Sequence, residues 1–342
     1  MSSTVERVMI AGIGGASLGT ELLKCLDMAG IYEAYGCDVS HTAYGLYEPH
    51  FKETLVVSRG NYVADVIDAC DSREIRWLIP GGEQPMVLLG EEADQLQRAG
   101  ITLLSNSQDV IATFSDKDAT FKLLQEASIS IPVTRAIQLK EDIEAVGLPC
   151  IVKPATGSGG SASVFFAVTL DEAMIYAEFI RRSGSTPLAQ EYVDDSEGEF
   201  TVGVLSLPDS TVAGSIALRR AFDAKLSVSY KGRGGLISSG YSQGYIDTFS
   251  DICAQAEKIA VAAGSRGPMN IQGRVRNGVL MPFEINPRFS ASTFLRAMAG
   301  FNEVDILLQY LSKGSVPAKK EIKPGLYLRS LTERYIDGEA MR

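Results

Sequence analysis

The front third of the chain alternates short apolar runs with amphipathic stretches, and that order leaves few folds open. "RVMIAGIGGASLGTELLKCLDMAGIYEAYGCDVS" reads as strand, glycine turn, helix, strand. The first strand covers residues 8–11. A helix over about 17–29 places Leu18, Leu22, Leu23 and Leu26 on one side, and Gly30 is its stop signal. A second strand ends near Asp38. "ETLVVS", "RWLIPGG" and "ITLLS" look like further short buried strands, with helical stretches at "YVADVIDACD" and "PMVLLGEEADQLQRAG". Strands that alternate with helices predict a doubly wound α/β sheet over roughly residues 1–110.

Beyond residue 115 the pattern changes. A helix at about 117–127 precedes "ISIPVTRAI". The strand-like runs "LPCIVKPA" and "SVFFAV" flank "ATGSGGSAS", and "LDEAMIYAEFIRRSG" is an amphipathic helix. From "LAQEYV" the chain is strand-rich, through "EFTVGVLSL" and "TVAGSIALRR" to a glycine-containing loop. A helix at about 249–263 interrupts it. "MNIQGRVRNGVLMPFEIN" reads as a hairpin, and a last helix lies near 304–311. This mixture fits an α+β unit with a mainly antiparallel sheet.

Bulk properties narrow the chemistry. With 342 residues the chain has two or three domains' worth of core, and 45% hydrophobic with 22% charged residues is ordinary for a soluble protein. No run of 18 apolar residues exists, so no membrane helix is expected. The start "MSSTVERVMIAG" lacks a signal-peptide profile, and the expectation is a cytoplasmic protein. A net charge of −10 argues against non-specific binding to nucleic acid or an anionic membrane. The five cysteines, Cys25, Cys37, Cys70, Cys150 and Cys253, form no CxxC pair, and His41 and His50 are the only histidines. That leaves little for a zinc site or a histidine triad. Carboxylates, amides, Lys, Arg and backbone N–H groups remain, which is the equipment of a Mg-nucleotide enzyme.

Three stretches carry that equipment. "GIGGASLG", residues 12–19, departs from G-x-G-x-x-G because the third position holds Ser17. A tight βα turn or a small-substrate pocket suits it better than a dinucleotide site with Asp38 on the ribose. "KPATGSGGSAS", residues 153–163, lies between two strands and lacks the GK[ST] of a P-loop. It reads either as a flexible hairpin tip or as a loop folding backbone N–H groups over phosphates. Lys153, entering from the preceding strand, favours the second reading. In "MPFEINPRFSAST", Glu284, Asn286 and Arg288 fall at every second position and would share one strand face. Glu284 and Asn286 supply hard oxygen atoms suited to Mg2+, and Arg288 supplies a fork for phosphate or carboxylate. A two-residue turn at Asn277-Gly278 alone would set Gln272 opposite Phe283. A three-residue loop, or a bulge beside Pro282, would set Gln272 opposite Glu284, and that register is expected.

"NIQGRVRNGVLMPFEINPRFSAST" resembles the metal-binding hairpin of ATP-grasp enzymes, in the flavour of the carbamoyl-phosphate synthase large chain. "SDKDATFKLLQEASISIPVT", "IVKPATGSGG" and "QEYVDDSEGEFTV" resemble other pieces of that superfamily in the same order, and the likeness covers about residues 1–315. The resemblance implies a Rossmann-like domain at 1–112 and a two-lobed ATP-grasp domain. Its small lobe would cover 113–185, its metal-bearing lobe 186–320, with a C-terminal strand or tail at 321–342. It implies ATP with Mg2+ (or Mn2+). Lys117 would touch phosphate, and Lys153 the α- and β-phosphates beneath Gly157, Ser158, Gly159 and Gly160. Glu191, Tyr192 and Val193 would meet the base, and Glu199 the ribose hydroxyls. Glu284 would bridge two metal ions, with Gln272 and Asn286 each holding one. Arg288 would steady the transferred phosphoryl group or an acyl phosphate. Among Arg219, Arg220, Lys225, Lys231 and Arg233, the first two are favoured at the triphosphate or substrate, and the other three read rather as a solvated loop.

The substrate pocket would lie between the front domain and the metal strand, taking in Gly14, Gly15, Glu83 and Ser290. Glu83 would hold an amine or cap the following helix. Arg296 would clamp a carboxylate or stand exposed on a helix. The implied reaction is ATP-dependent activation of a carboxylate as an acyl phosphate and its capture by an amine or ammonia. The alternatives are a carboxylate or carbamate phosphorylating enzyme acting with a partner, and a non-catalytic nucleotide-binding subunit. The expected partners are small molecules, not nucleic acid or membrane, and a homodimer is compatible with the family.

Overall fold

The structure, a computed structural model, describes residues 5–15, 17–155, 163–224, 226–232, 234–238 and 241–337. The front sheet contains β1 (Glu6–Ala11), β2 (Tyr32–Asp38), β3 (Glu53–Val56), β4 (Trp77–Pro80) and β5 (Thr102–Leu103). All are parallel, in the order β3-β2-β1-β4-β5. Successive strand residues face opposite sides. Val8 and Ile10 therefore pack with Leu22 and Leu26 of the helix Leu18–Ala29 on one face. Met9 and Ala11 pack with Val66 and Leu89 on the other. That is the doubly wound arrangement expected from the alternation. Ser17 is the extended N-cap of the first helix, and Gly30 closes it in the left-handed region at φ 70°. The stretch after β4 holds two helices, Glu83–Glu91 and Ala93–Arg98, where one was expected. Glu92 breaks them with φ −107° and ψ 24°, and both Leu89 and Leu96 still reach the same core.

The second sheet is antiparallel: β6 (Thr134–Ala136), β7 (Cys150–Pro154), β8 (Phe165–Ala167) and β9 (Pro187–Glu191), in the order β6-β9-β7-β8. Ile143 of the helix Lys140–Val146 and Ala173, Ala177 and Ile180 of the helix Leu170–Arg182 cover it. Because β9 pairs with β7, this sheet extends to residue 191. The short helix before β7 was not foreseen, since it buries only Ile143 and shows little periodicity.

The third sheet has β10 (Glu199–Ser206) and β11 (Val212–Arg220). A two-stranded hairpin, β12 (Val228–Gly232) and β13 (Gly235–Ser238), follows where only a loop was expected. Then come β14 (Gly244–Ile246), β15 (Pro268–Arg276), β16 (Val279–Asn286) and β17 (Gly325–Tyr327). The main sheet order is β16-β15-β10-β11-β14-β17, with antiparallel neighbours. On β10, Phe200, Val202 and Val204 pack on the helix Ser250–Ala262. The opposite face, carrying Glu199 and Thr201, is left for a cavity.

Two contacts tie the front sheet to this one. Asn106, just after β5, donates to Pro268 O at 2.8 Å and Pro287 O at 3.2 Å, gripping both strands at the open end of the β15–β16 hairpin. Arg329, beyond β17, pairs with Glu21 at 3.3 Å and donates to Ala291 O. Among the described residues no helix is long and apolar enough to cross a membrane.

Candidate active site

The β15–β16 hairpin carries the first wall of a cavity of about 290 Å³. Asn277 and Gly278 both have positive φ, 52° and 74°, so the turn is the tight two-residue kind. The register then shifts between Gln272 and Gly273: Gly273 opposes Pro282, and Gln272 opposes Glu284. A bulge at Phe283 corrects the face that the tight turn would have reversed. Gln272 and Glu284 thus share one face by the second of the two expected routes.

On that face Asn286 Nδ2 donates to Glu284 Oε1 at 3.1 Å, and Arg288 Nη2 donates to Asn286 Oδ1 at 3.2 Å. The carboxylate, amide and guanidinium form one chain. The Asn286 amide assignment follows its hydrogen bonds, and turning it over would put its oxygen beside Glu284. The donor set suits a hard cation: one carboxylate and two carboxamide oxygens, with room for phosphate oxygens. Among the described residues no group of three His, Cys, Asp or Glu side chains stands ready to hold a metal. Ligand phosphates would have to complete the shell around Gln272, Glu284 and Asn286.

The facing wall is cationic. Lys153, 5% exposed on β7, donates to Gln190 Oε1 at 2.9 Å and Phe283 O at 3.1 Å. An ammonium has three donors, so one remains for a ligand oxygen. Burial, then the nearby Lys117 ammonium, pushes the Lys153 pKa down to about 7, against the pull of Glu284. Lys117 opens the helix Lys117–Glu126 and donates to Ala155 O at 3.3 Å, and burial also lowers its pKa. Asp116 caps that helix through Asp118 N and Ala119 N.

The sign of the Lys153 shift gives a testable pH dependence. A phosphate binds the ammonium form, which dominates below about pH 7 in the free protein. MgATP affinity is therefore expected to hold below that pH. It should weaken as pH rises, approaching about tenfold per unit. The trend ends where the ligand-bound lysine itself titrates. Dissociation constants measured from pH 6 to 9 check this, and Lys153→Met should flatten the slope. A flat profile in the unmodified protein would refute it.

Glu191, Tyr192, Val193 and Glu199 complete the lining, together with Glu83 and Ser290. Glu191 pairs with Arg276 at 2.8 Å and accepts from Val133 N at 3.1 Å. Glu199 is buried between Arg274, whose Nε donates to its Oε2 at 2.9 Å, and Arg220, 3.4 Å from its Oε1.

Among the described residues, five expected site residues do not line the cavity. Arg219 is exposed on the opposite side of β11 from Arg220, as the strand period requires. Arg220 stands behind Glu199 and donates to Ser227 O and Tyr241 O at 3.1 and 3.2 Å. Arg296 is neither exposed nor in the cavity. It is 1% exposed and clamps an internal carboxylate, Glu303, at 2.9 Å. Gly14 and Gly15 lie in the turn after β1, and Tyr44 packs so closely that a Cβ on Gly15 would meet its Cβ at 2.5 Å. Asp38 accepts from Ile13 N at 2.8 Å and Ser40 N at 3.0 Å, so it serves the turn itself. Lys231 is exposed on β12. Gly157, Ser158, Gly159, Gly160, Lys225 and Arg233 lie outside the described residues.

Among the lining residues that were missed are Asn270 and Arg274 on β15, Thr201 on β10 and Gln190 on β9. Asn270, Gln272 and Arg274 repeat the alternation of Glu284 and Asn286, a signal present in "NIQGR".

Residues 114–292, just over half of the chain, match the family model described as the ATP-grasp domain. The carbamoyl phosphate synthase large chain of Neisseria meningitidis serogroup A is 27% identical over 310 residues, covering 83% of this chain and 27% of that one. The chain spans about a quarter or less of the length of the curated relatives it matches. Among solved structures, biotin carboxylase from Campylobacter jejuni superposes with a TM-score of 0.68 at 15% identity, covering 94% of this chain and 74% of that one. N5-carboxyaminoimidazole synthetase from Staphylococcus aureus gives 0.63 at 15% identity, covering 93% and 80%. At that identity the likeness is one of fold.

Proposed function

The chain belongs to the ATP-grasp family, and on that premise we propose that it is an ATP-dependent ligase. It would activate a carboxylate as an acyl phosphate and join the acyl group to an amine or ammonia, releasing ADP and phosphate. One arrangement carries the reading: the Glu284–Asn286–Arg288 chain and the Lys117 and Lys153 ammonium groups line the same cavity.

Phosphoryl transfer asks a protein for positioning and charge more than for a covalent nucleophile. Lys153 and Lys117 would hold phosphate oxygens. Arg288 would hold the acceptor carboxylate or the transferred group, since its planar fork matches either. Mg2+, when bound by Gln272, Glu284 and Asn286 together with phosphate oxygens, supplies neutralisation of charge at the transferred group. Ser290 lies beside Arg288 at the substrate end. Glu83, the first residue of its helix, lines the same end and would accept the protonated amine and take its proton. Four of the five cysteines are buried and all five are free, which fits a reducing cytoplasm.

The test is ADP release with MgATP against a panel of carboxylates, each with and without amino acids or ammonia. Release that needs both a carboxylate and an amine supports the ligase and identifies its pair. Release with a carboxylate alone, unaffected by any amine and with acyl phosphate trapped, would replace it with a phosphorylating enzyme. ATP binding with no release across the panel would count for a nucleotide-binding subunit.

A further inference from the structure

A polar row crosses the cavity face of the second sheet. Thr134 on β6 stands opposite Gln190 on β9, and Gln190 stands opposite Ile151 on β7. Ile151 and Lys153 share a face by the strand period, so Thr134, Gln190 and Lys153 lie side by side across three strands. The other face turns Cys150, Val152 and Ala189 into the core beneath the covering helices. Gln190 is 3% exposed and lines the cavity together with Ile151 and Lys153.

Hydrogen bonds give this row a direction. The Thr134 hydroxyl donates its single proton to Pro132 O at 3.0 Å, so toward Gln190 it can only accept. It accepts from Gln190 Nε2 at 2.9 Å. The amide is thereby held one way round, and its Oε1 accepts from Lys153 Nζ at 2.9 Å. Turned over, the amide would set a donor against the ammonium. Phe283, the bulge residue that no β15 residue opposes, takes a second ammonium proton on its carbonyl at 3.1 Å. The Phe121 ring lies 5.5 Å from the nitrogen, and charge reaches it from Lys117 and Glu284. With two of its three protons fixed, the ammonium can no longer turn freely, and the third has one tetrahedral direction left.

We propose that Gln190, oriented by Thr134, is a positioning residue for Lys153: it fixes one ammonium proton so that another is aimed at a ligand phosphate. This rests on the reading of the cavity as the ATP site. Gln190 then acts on the nucleotide through the lysine, so its worth to binding exists only while Lys153 is present as an ammonium.

The experiment is calorimetric titration of the full chain with ATP in excess Mg2+. It is repeated on Gln190→Met, Thr134→Val and Lys153→Met, and on the first two each combined with Lys153→Met. Gln190→Met keeps the length of the side chain and removes the acceptor, and affinity should fall roughly 3- to 10-fold, the worth of one hydrogen bond. Thr134 is half-buried on the edge strand, so Thr134→Val disturbs little packing. It frees the amide to turn and should give a smaller loss in the same direction. Both losses should vanish in the Lys153→Met background, because the group they act through is gone. Gln190→Glu supplies a second readout. A carboxylate beside the ammonium favours the charged form, so the alkaline weakening of ATP binding should move to higher pH, and in Gln190→Met to lower pH. Losses of equal size with and without Lys153, or a pH profile that moves in neither variant, would overturn the proposal and leave the ATP site standing. No ATP binding by the unmodified protein would overturn both.

Discussion

Glu284→Gln is expected to lower turnover by about a hundred- to a thousand-fold while the protein stays folded and still binds nucleotide. The substitution keeps the shape of the side chain and leaves an amide oxygen that can accept from Asn286 Nδ2. What it removes is charge. Among Gln272, Glu284 and Asn286 only Glu284 is anionic, so it alone offsets a divalent cation at that wall. A charge effect that matters most at the transferred group should fall mainly on kcat. Lys153→Met gives the contrast, since it removes a ground-state phosphate contact and should raise the ATP dissociation constant. Steady-state ADP release with the substrate pair found by the panel, beside calorimetric ATP binding, separates the two variants. Unmodified turnover in Glu284→Gln would remove this residue from the reaction.

Arg296→Met is expected to cost about 3–5 kcal/mol of stability, the usual loss when one partner of a buried ion pair is deleted. Arg296 and Glu303 are each 1% exposed. The guanidinium donates to Glu303 Oε2 at 2.9 Å, Asn270 Oδ1 at 3.1 Å and Ser292 Oγ at 3.0 Å. Gly203 on β10 makes room for the pair, since a Cβ there would lie 2.1 Å from Glu303 Oε1. Without the arginine, Glu303 keeps the Thr293 hydroxyl at 3.3 Å as a side-chain donor in a buried place. The double variant Arg296→Met/Glu303→Leu should recover much of the loss, because no charge is then left buried. Urea unfolding of the two single variants and the double closes the cycle. A loss below about 1 kcal/mol in Arg296→Met, the range of exposed pairs, would contradict the buried-pair account.

Arg296 also shows how far the sequence could be read. Nothing in "TFLRAMAG" distinguishes an arginine on an exposed helix face from one turned inward. The decision comes from Glu303, seven residues on, and from a glycine in a strand far away in sequence. Arg219 and Arg220 make the same point in a strand. Adjacent residues must face opposite ways, but which one faces inward depends on the register with β10. The hairpin carrying Glu284 was legible because its polar residues alternate. Its face was still ambiguous until the bulge at Phe283 was seen.

The linear order of residues determined the larger plan. Apolar strands alternating with amphipathic helices bury both faces of a parallel sheet, and five of them form the open, doubly wound kind. The period-two run of Glu284, Asn286 and Arg288 could point only to one side of a strand. These are local consequences of side-chain periodicity, and one chain is enough to show them. Tertiary structure decided what meets what. It moved Gly14 and Gly15 out of the cavity, turned Arg296 into an internal strut and brought Arg274 onto Glu199. Such pairings join residues far apart in sequence, and their energies come from burial and charge that exist only after the sheets have packed.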